Sequence, residues 1–420
     1  MQKETCGIAQ EECLEAYIMG RAWTELDRKA LRHNVAVLRS LLPVGCELMP
    51  AVKADAYGHG AVLVGRELNK MGVQAFCVAC VEEAVKLRKG GVEGEILILG
   101  YTHPALFPLL GEHDLSQTVV DYAYAKELEK YGKKVEVHIG IDTGMHRLGE
   151  RCEQIEKLCQ ICRMKNLVIK GAYTHLCVAD SAAEKDRAYT RKQAEAFFHT
   201  MEVLMNQGYK IPRLHLLASS GVLCYPELAG DYARVGIALY GACGDIKEWG
   251  HGVTVQEEAS REMAGHEVAV QRTAPSRQPG LQPVLALKAR VASVRKLQPG
   301  ESAGYGLDYI AKRPARLAVL TIGYGDGLPR ALSGGIGEVL IGGRRVAIAG
   351  RICMDQTLVD ITDVEGVRPG DVAVLIGSQQ REHITVEEMA RRAGTIPNEI
   401  LSRLGERLGR RWADEKMDKG

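Results

Sequence analysis

The stretch "ELMPAVKADAYGHG" (residues 47–60) begins as a short apolar run, reaches Lys53, and continues into a turn with two glycines. Lysine is rarely buried, because its ammonium group loses favourable hydration inside a protein. A strand that delivers Lys53 to its end therefore indicates that this amine serves chemistry there rather than packing.

The same kind of short apolar run recurs along the first part of the chain and predicts eight strands: 47–53, 74–79, 95–100, 116–120, 134–141, 167–174, 213–218 and 231–237. The segments between them, such as "ACVEEAVKLRKGG", have apolar residues three and four positions apart, as helices do, and "RKALRHNVAVLRSLL" predicts a leading helix. Short strands that alternate with longer helices indicate parallel βα units. Eight units predict a closed (β/α)8 TIM-like barrel, although an open doubly wound sheet has the same rhythm.

The second part of the chain has a different pattern. Residues 243–282 lack apolar periodicity and predict an irregular insertion or linker, whereas 283–415 contain β-rich runs separated by turns. Two helices are predicted there, "TVEEMARRAG", with Thr385 as N-cap and Gly394 as its end, and "NEILSRLGERLGRRW". The predicted class is α/β: an N-terminal extension (1–21), a barrel (22–242), the insertion (243–282) and a C-terminal mainly-β domain (283–415).

Composition excludes several classes of protein. The 420 residues are 25% charged and 46% hydrophobic with a net charge of +1, which predicts an ordinary globular protein without a nucleic-acid or membrane partner. The twelve cysteines and the absence of a signal-peptide pattern favour reduced thiols and a cytoplasmic location. The pairs Cys77/Cys80 and Cys159/Cys162 would form a zinc site only if the fold joined them, so core cysteines are the favoured interpretation and no metal is predicted.

Polar side chains gather where the predicted strands end, the edge at which barrels carry their chemistry. They are Lys53, Arg147, His175, Ser219, Ser220 and Arg234, and Gly236 lies with Arg234 at the end of the last strand. Taken singly, the lysine would be a salt-bridge donor and the histidine a half-buried ring. Taken together, a strand-end amine opposite the loops that often bind phosphate favours pyridoxal 5'-phosphate as a cofactor.

"AVKADAYGHG" resembles the cofactor-lysine signature of the alanine racemase family. Further family motifs follow in the family's order: "IDTGMHRLG", "YTHLCVAD", "ARVGIALYG", "GYGLDY", "IGYGDGLPR" and "GRICMDQTLVDIT". The resemblance covers residues 22 to 412. It implies a pyridoxal-phosphate-dependent isomerase that supplies D-alanine for cell-wall synthesis, built as a head-to-tail homodimer whose active sites take residues from both subunits.

The resemblance also implies roles for individual residues. Lys53 would bind the cofactor as a Schiff base and act as one catalytic base, and Tyr305 of the partner subunit would be the other. The implied cofactor-binding residues are Lys53, Tyr57, Arg147, His175, Ser220, Arg234, Gly236, Ile237 and Asn398. The implied substrate-binding residues are Arg147, Tyr324, Met354 and Asp355.

These residue types suit racemisation, which needs one base on each face of the α-carbon. Lysine and tyrosine have unperturbed pKa values of about 10.4 and 10, so both must be tuned; Lys53 would serve the D-isomer and Tyr305 the L-isomer. Arg234 would face the pyridine nitrogen, and a guanidinium does not readily yield its proton. That arrangement disfavours a decarboxylase or an aldolase, and a non-catalytic cofactor carrier would not need Tyr305.

The sequence departs from the family pattern at three positions. Gly140 replaces a lysine that braces Arg147 in many members, Ser219 replaces a common asparagine, and Asn398 replaces a tyrosine near the substrate side chain. Asparagine is smaller than tyrosine and offers an amide, so the pocket could admit the serine hydroxyl. The sequence therefore leaves open alanine racemisation alone, activity on both alanine and serine, and serine racemisation as the main activity.

Overall fold

A computed structural model describes residues 20–243 and 280–414 of the chain. Almost all of the predicted N-terminal extension and of the predicted insertion at 243–282 lies outside these described residues. Two units follow one another along the chain, a parallel barrel and a mainly-β domain.

The first unit is a closed barrel of eight parallel strands. The strands are β2 Glu47–Leu48, β3 Ala75–Val78, β4 Glu95–Ile98, β5 Ser116–Val119, β6 Val135–Asp142, β8 Leu167–Tyr173, β9 Leu214–His215 and β10 Tyr232–Ala233. Six of them form one sheet in the order β3-β4-β5-β6-β8-β9, and β2 pairs with β10 in parallel. Parallel bridges from Ala51 to Cys77 and from Ala218 to Arg234 join the two groups, so the sheet closes on itself.

All eight predicted strands are present, and closure excludes the open doubly wound sheet. A short additional strand, β7 Glu150–Arg151, pairs with the end of β6. The barrel interior is filled by Met49, Ala51, Ala75, Cys77, Leu97 and Tyr232. Cys77 is therefore a core residue of the barrel.

Helices surround the barrel and connect its strands. They are α1 Arg28–Leu41, α2 Ala61–Lys70, α3 Val81–Lys89, α4 Phe107–Glu112, α5 Tyr122–Lys130, α6 Ile155–Cys162, α7 Glu184–Asn206 and α8 Ser219–Cys224. The predicted leading helix is α1, and its N-cap is Asp27, whose carboxylate accepts the backbone N–H groups of Lys29 and Ala30 at 2.7 and 3.0 Å. No helix in the described part of the chain combines the length and the apolar character needed to cross a bilayer.

The second unit is built on one long strand, β11 Leu285–Leu297, whose first residues are alternately buried and half-buried. The remaining strands are β1 Ala22–Leu26, β12 Ser302–Ala303, β13 Tyr309–Ile310, β14 Ala315–Leu320, β15 Glu338–Ile341, β16 Arg344–Ala347, β17 Thr357–Asp360, β18 Val372–Gln379, β19 Glu382–Ile384 and β20 Gly409–Trp412. The main sheet has the order β16-β15-β18-β11-β1-β20, with β14, β17 and β19 paired beside it.

Two sequence-based expectations are corrected in this unit. Residues 22–26, assigned to the barrel, form β1, which pairs with β11 and β20, so the barrel begins at α1. The helix α9 Val386–Ala393 has the predicted cap and end, because Thr385 Oγ accepts the Glu388 N–H and Gly394 is left-handed. The next helix, α10 Pro397–Ser402, is much shorter than predicted, and the chain continues into β20 because that strand completes the sheet beside β1.

Candidate active site at the ends of the barrel strands

Lys53 opens a turn with an unusual backbone. The four residues after it, Ala54 to Tyr57, have φ between 50° and 55°, the left-handed region that favours glycine. Such a conformation costs on the order of 1–3 kcal/mol per residue and persists where surrounding contacts enforce it, commonly at functional sites. The turn at Lys53 is therefore a position at which the fold accepts strain.

Contacts from both units hold this turn. Asp55 Oδ1 accepts the Ala61 N–H at 3.0 Å, and its carboxylate lies 3.3 Å from Lys86 Nζ and 3.2 Å from Arg410 Nε. Burial raises the pKa of Asp55, but the Ala61 N–H and the two cations outweigh burial and lower it overall. Arg410 also donates to the Gly58 carbonyl at 2.9 Å. The β domain thus fixes the turn that carries the lysine.

The loop after β10 lies against Tyr57. Gly236 approaches so closely that a methyl group built on it would lie 2.7 Å from Tyr57 Oη. The Gly236 and Ala238 N–H groups donate to Ser219 Oγ at 2.9 and 3.2 Å, so the serine that replaces the family's asparagine closes this loop. Ser220 follows in the first turn of α8, and Ile237 lies beside Gly236. The structure therefore brings together four of the cofactor-binding residues that the resemblance implies, which are Tyr57, Ser220, Gly236 and Ile237.

Arg234 is buried at the end of β10, with 5% of its surface exposed. Its guanidinium donates to the carbonyls of Thr174 and His215 at 2.7 and 3.1 Å, and to His215 Nδ1 at 2.7 Å. It also lies over the Tyr173 ring, 4.7 Å from the centroid. These contacts fix the orientation of a cation at the end of the barrel.

His175 lies among three cations. Burial lowers its pKa most, and the charges of Arg234, Arg147 and Lys53 lower it further, to about 3. An imidazole in this environment is neutral at physiological pH. Arg234 Nη2 lies 3.4 Å from His175 Nδ1, and Arg147 and Lys53 are near enough for their charges to act on the same ring, as the predicted strand-end cluster requires.

The loop that carries Arg147 is ordered by a carboxylate that the sequence analysis did not single out. Asp142 Oδ1 accepts the N–H groups of Gly144 and His146 at 3.0 and 2.9 Å, and its other oxygen lies 2.8 Å from His146 Nδ1.

At Gly140, a built methyl group would lie 3.2 Å from the Val119 carbonyl oxygen. The position of the missing lysine is therefore a tight one between strands.

The C-terminal site residues lie on the surface of the single chain. Tyr305, Met354 and Tyr324 are 69%, 53% and 41% exposed. The loops of Tyr324 and Met354 are joined, because the Tyr324 N–H donates to the Cys353 carbonyl at 3.0 Å and the Gly325 N–H to the Met354 carbonyl at 2.9 Å. The structure thus brings Tyr324 and Met354 together, whereas Tyr305 lies on the separate β12–β13 hairpin.

A buried carboxylate that the sequence analysis missed anchors those joined loops. Asp326 is fully buried and pairs with Arg21 and with Arg407, whose Nε is 3.1 Å from Asp326 Oδ1. Arg407 also contacts Asp355 at 2.8 Å. The only signal in the sequence was an acid between glycines in "GYGDG".

Asn398 lies in α10, which packs on the Lys53 turn. A methyl group built on Gly58 would collide with the Leu401 carbonyl oxygen of this helix. The helix that carries Asn398 therefore contacts the Lys53 turn of the same chain. Among the described residues, no group of three or more His, Cys, Asp or Glu side chains is arranged to hold a metal ion.

The fold and the site define a barrel enzyme with a cationic centre at its strand ends and an attached β domain. Residues 26–243 match the alanine racemase N-terminal domain, and residues 284–412 match the alanine racemase C-terminal domain. The chain belongs to the alanine racemase family and is an isomerase. The predicted resemblance and fold class are confirmed.

Relatives of known name agree with this assignment. The alanine racemase of Carboxydothermus hydrogenoformans is 37% identical over 93% of this chain and 99% of its own length. An amino-acid racemase of Enterococcus faecalis is 39% identical over 92% of this chain, but the chain spans only 51% of that relative's length. The crystal structure of alanine racemase from E. faecalis has 31% identity and a TM-score of 0.78, covering 93% of this chain and 98% of that one.

Proposed function

We propose that the protein interconverts L- and D-alanine by a two-base mechanism, with pyridoxal 5'-phosphate as cofactor. The observation that carries the proposal is the cluster at the strand ends, where the buried Arg234 lies 3.4 Å from His175 and the strained turn that begins at Lys53 brings Tyr57 against Gly236. An amine, two guanidinium groups and a neutral ring suit an anionic aldehyde cofactor and a carboxylate substrate.

The residues present fit that cofactor. The position between Tyr57 Oη and Gly236, which a methyl group would fill, would suit a phosphate oxygen, and Ser220 and Ile237 directly follow Ser219 and Gly236, which a hydrogen bond joins. Lys53 would hold the aldehyde, Arg234 the ring nitrogen, and His175 the ring face. When bound, this cofactor withdraws electrons from the substrate and so acidifies its α-hydrogen.

The protein's own groups then move the proton. Arg147 would bind the substrate carboxylate. Burial lowers the pKa of Arg234, yet a guanidinium keeps its charge in proteins, so Arg234 gives no proton to the ring. Lys53 Nζ would exchange a proton with one face of the α-carbon, and Tyr305 Oη with the other.

Tyr305 supports a shared site in a homodimer. It is 69% exposed, and Leu307 and Ile310 on the same hairpin are 64% and 58% exposed. The salt bridge from Arg351 to Asp308, at 2.5 Å, braces the hairpin rather than covering these side chains. A row of exposed apolar groups around a phenol is typical of a surface that a second subunit covers.

Exchange of the α-hydrogen tests the reaction class. Purified protein loaded with pyridoxal phosphate is incubated with L-alanine in D2O, and the product is followed by chiral chromatography and mass spectrometry. We expect D-alanine with one deuterium on its α-carbon, and we expect no release of CO2. Release of CO2 would indicate a decarboxylase, and unchanged L-alanine would indicate a cofactor carrier.

We also propose activity on serine. Asn398 lies in the helix that packs on the Lys53 turn, and two E. faecalis relatives, at 39% and 36% identity, are named amino-acid racemases rather than alanine racemases. An asparagine amide can hydrogen-bond a substrate hydroxyl, whereas an apolar pocket discriminates against an added hydroxyl only about a hundredfold.

The test compares kcat/KM for L-alanine and L-serine in wild type and in Asn398→Tyr. We expect the serine-to-alanine ratio to fall about tenfold in the variant, as a lost hydrogen bond to substrate does. An equal serine-to-alanine ratio in both proteins would contradict the proposed role of Asn398 in serine binding.

A further inference from the structure

A chain of buried hydrogen bonds leads away from Arg234 through the barrel. Arg234 Nη1 is 2.7 Å from His215 Nδ1, and His215 Nε2 is 2.9 Å from His138 Nδ1. His138 Nε2 is in turn 2.7 Å from Glu95 Oε1. Both imidazoles are fully buried. The chain therefore joins the end of β10 to Glu95, the first residue of β4.

The two ends of this chain fix its direction. A guanidinium can only donate, so His215 Nδ1 accepts and its Nε2–H donates to His138 Nδ1. A carboxylate can only accept, so His138 Nε2–H donates to Glu95. Burial raises the pKa of Glu95, but the hydrogen bonds that it accepts from His138 and Ser116 and the charge of Lys170 lower it overall, which keeps it ionised. Each histidine is thus neutral and held in one tautomer.

Glu95 is the acidic side chain at the far end of the hydrogen-bond chain that begins at Arg234. In the described part of the chain, Arg234 donates to carbonyls and imidazole nitrogens, and all of these acceptors are neutral. A buried cation without a direct counterion is costly. The carboxylate of Glu95 reaches it through His138 and His215.

We propose that Glu95 is a positioning residue that orients Arg234 through His138 and His215. If the charge of Glu95 were removed, an amide at that position could also donate to His138. The chain could then reverse, and a His215 Nδ1–H would oppose the Arg234 N–H. Arg234 would be displaced from the ring nitrogen it faces. The inference rests on the proposed function, since that nitrogen belongs to the proposed cofactor.

Cofactor binding to the apoprotein tests this role. Dissociation constants are measured for pyridoxal phosphate and for its 1-deaza analogue, in which CH replaces the ring nitrogen. We expect Glu95→Gln to weaken pyridoxal phosphate about tenfold, the size of one charge-assisted hydrogen bond, and to leave the 1-deaza analogue unchanged. The matched control is Glu127→Gln, a carboxylate paired 2.6 Å from Lys130 outside this network, which should change neither constant.

The outcomes separate the inference from the proposed function. Equal weakening of the binding of both ligands in Glu95→Gln would show a merely structural role. Unchanged binding of both ligands would show that Glu95 does not act on the site. Either result would overturn the inference. A wild-type protein that binds neither ligand would overturn the proposed function instead.

A second measurement needs no variant. Nitrogen-15 NMR of labelled wild-type protein should show His138 and His215 as neutral Nε2–H tautomers. An Nδ1–H or a doubly protonated ring at either position would overturn the proposed chain.

Discussion

Replacing Gly236 by alanine tests the phosphate end of the proposed site. The new methyl group would lie 2.7 Å from Tyr57 Oη and 3.2 Å from its Cζ, closer than carbon atoms approach such groups. The Tyr57 ring has little freedom to withdraw, because its backbone is left-handed and the ring lies 5.2 Å from that of Tyr240. The methyl group therefore takes the space between Tyr57 and the loop.

The expected loss is one hydrogen bond to a charged group, about 1.5–3 kcal/mol, or roughly ten- to a hundredfold in affinity. The assay titrates apoprotein with pyridoxal phosphate and with pyridoxal, which lacks the phosphate. Gly236→Ala should weaken only the phosphorylated ligand. Gly111→Ala is the matched control, since a methyl group there meets nothing within 4 Å.

Tyr57→Phe supplies the second arm of this test. It should weaken pyridoxal phosphate to a similar extent, and the double variant should lose little more, because both changes remove the same contact. Full additivity, or equal weakening of pyridoxal and pyridoxal phosphate by Gly236→Ala, would refute the phosphate assignment.

Two further predictions follow from buried ionisable groups. Asp326→Asn should destabilise the protein by about 3–5 kcal/mol, because it leaves the cations of Arg21 and Arg407 without their buried partner; urea denaturation measures this, and an unchanged midpoint would contradict it. Burial holds the pKa of His59 near 4 against 6.5 for the unfolded chain, so the folded state binds fewer protons between these values and stability should fall as pH decreases through that window. His59→Gln should flatten the pH dependence of the free energy of unfolding in that window by up to roughly 1.4 kcal/mol per pH unit, measured by urea denaturation at several pH values, and identical slopes would argue against a neutral buried His59.

The sequence was informative where structure is local. The eight apolar runs predicted the eight strands. The position of Lys53 after the first strand was also predictable, because neighbouring residues encode a strand and the turn that follows it. The cap at Thr385 and the helix end at Gly394 were equally readable, since each depends on one residue and its immediate neighbours.

The sequence was uninformative where partners are distant. The strand at residues 22–26 pairs with β11, more than 250 positions away, and nothing in its own five residues indicates which domain it joins. The same holds for His138 and His215, whose bond depends on closure of the barrel. Asp326 was quoted within a motif, but its partners Arg21 and Arg407 lie near opposite ends of the chain.

Complementation between two inactive variants tests the shared two-base site most directly. Lys53→Ala and Tyr305→Phe subunits are each expressed alone and then together. A mixed dimer would combine the Lys53 of one subunit with the Tyr305 of the other, which restores one of its two sites. Half of randomly paired dimers are mixed, so we expect about a quarter of wild-type racemase activity from the co-expressed proteins. Activity no higher than the sum of the two separate variants would contradict a site built from both subunits.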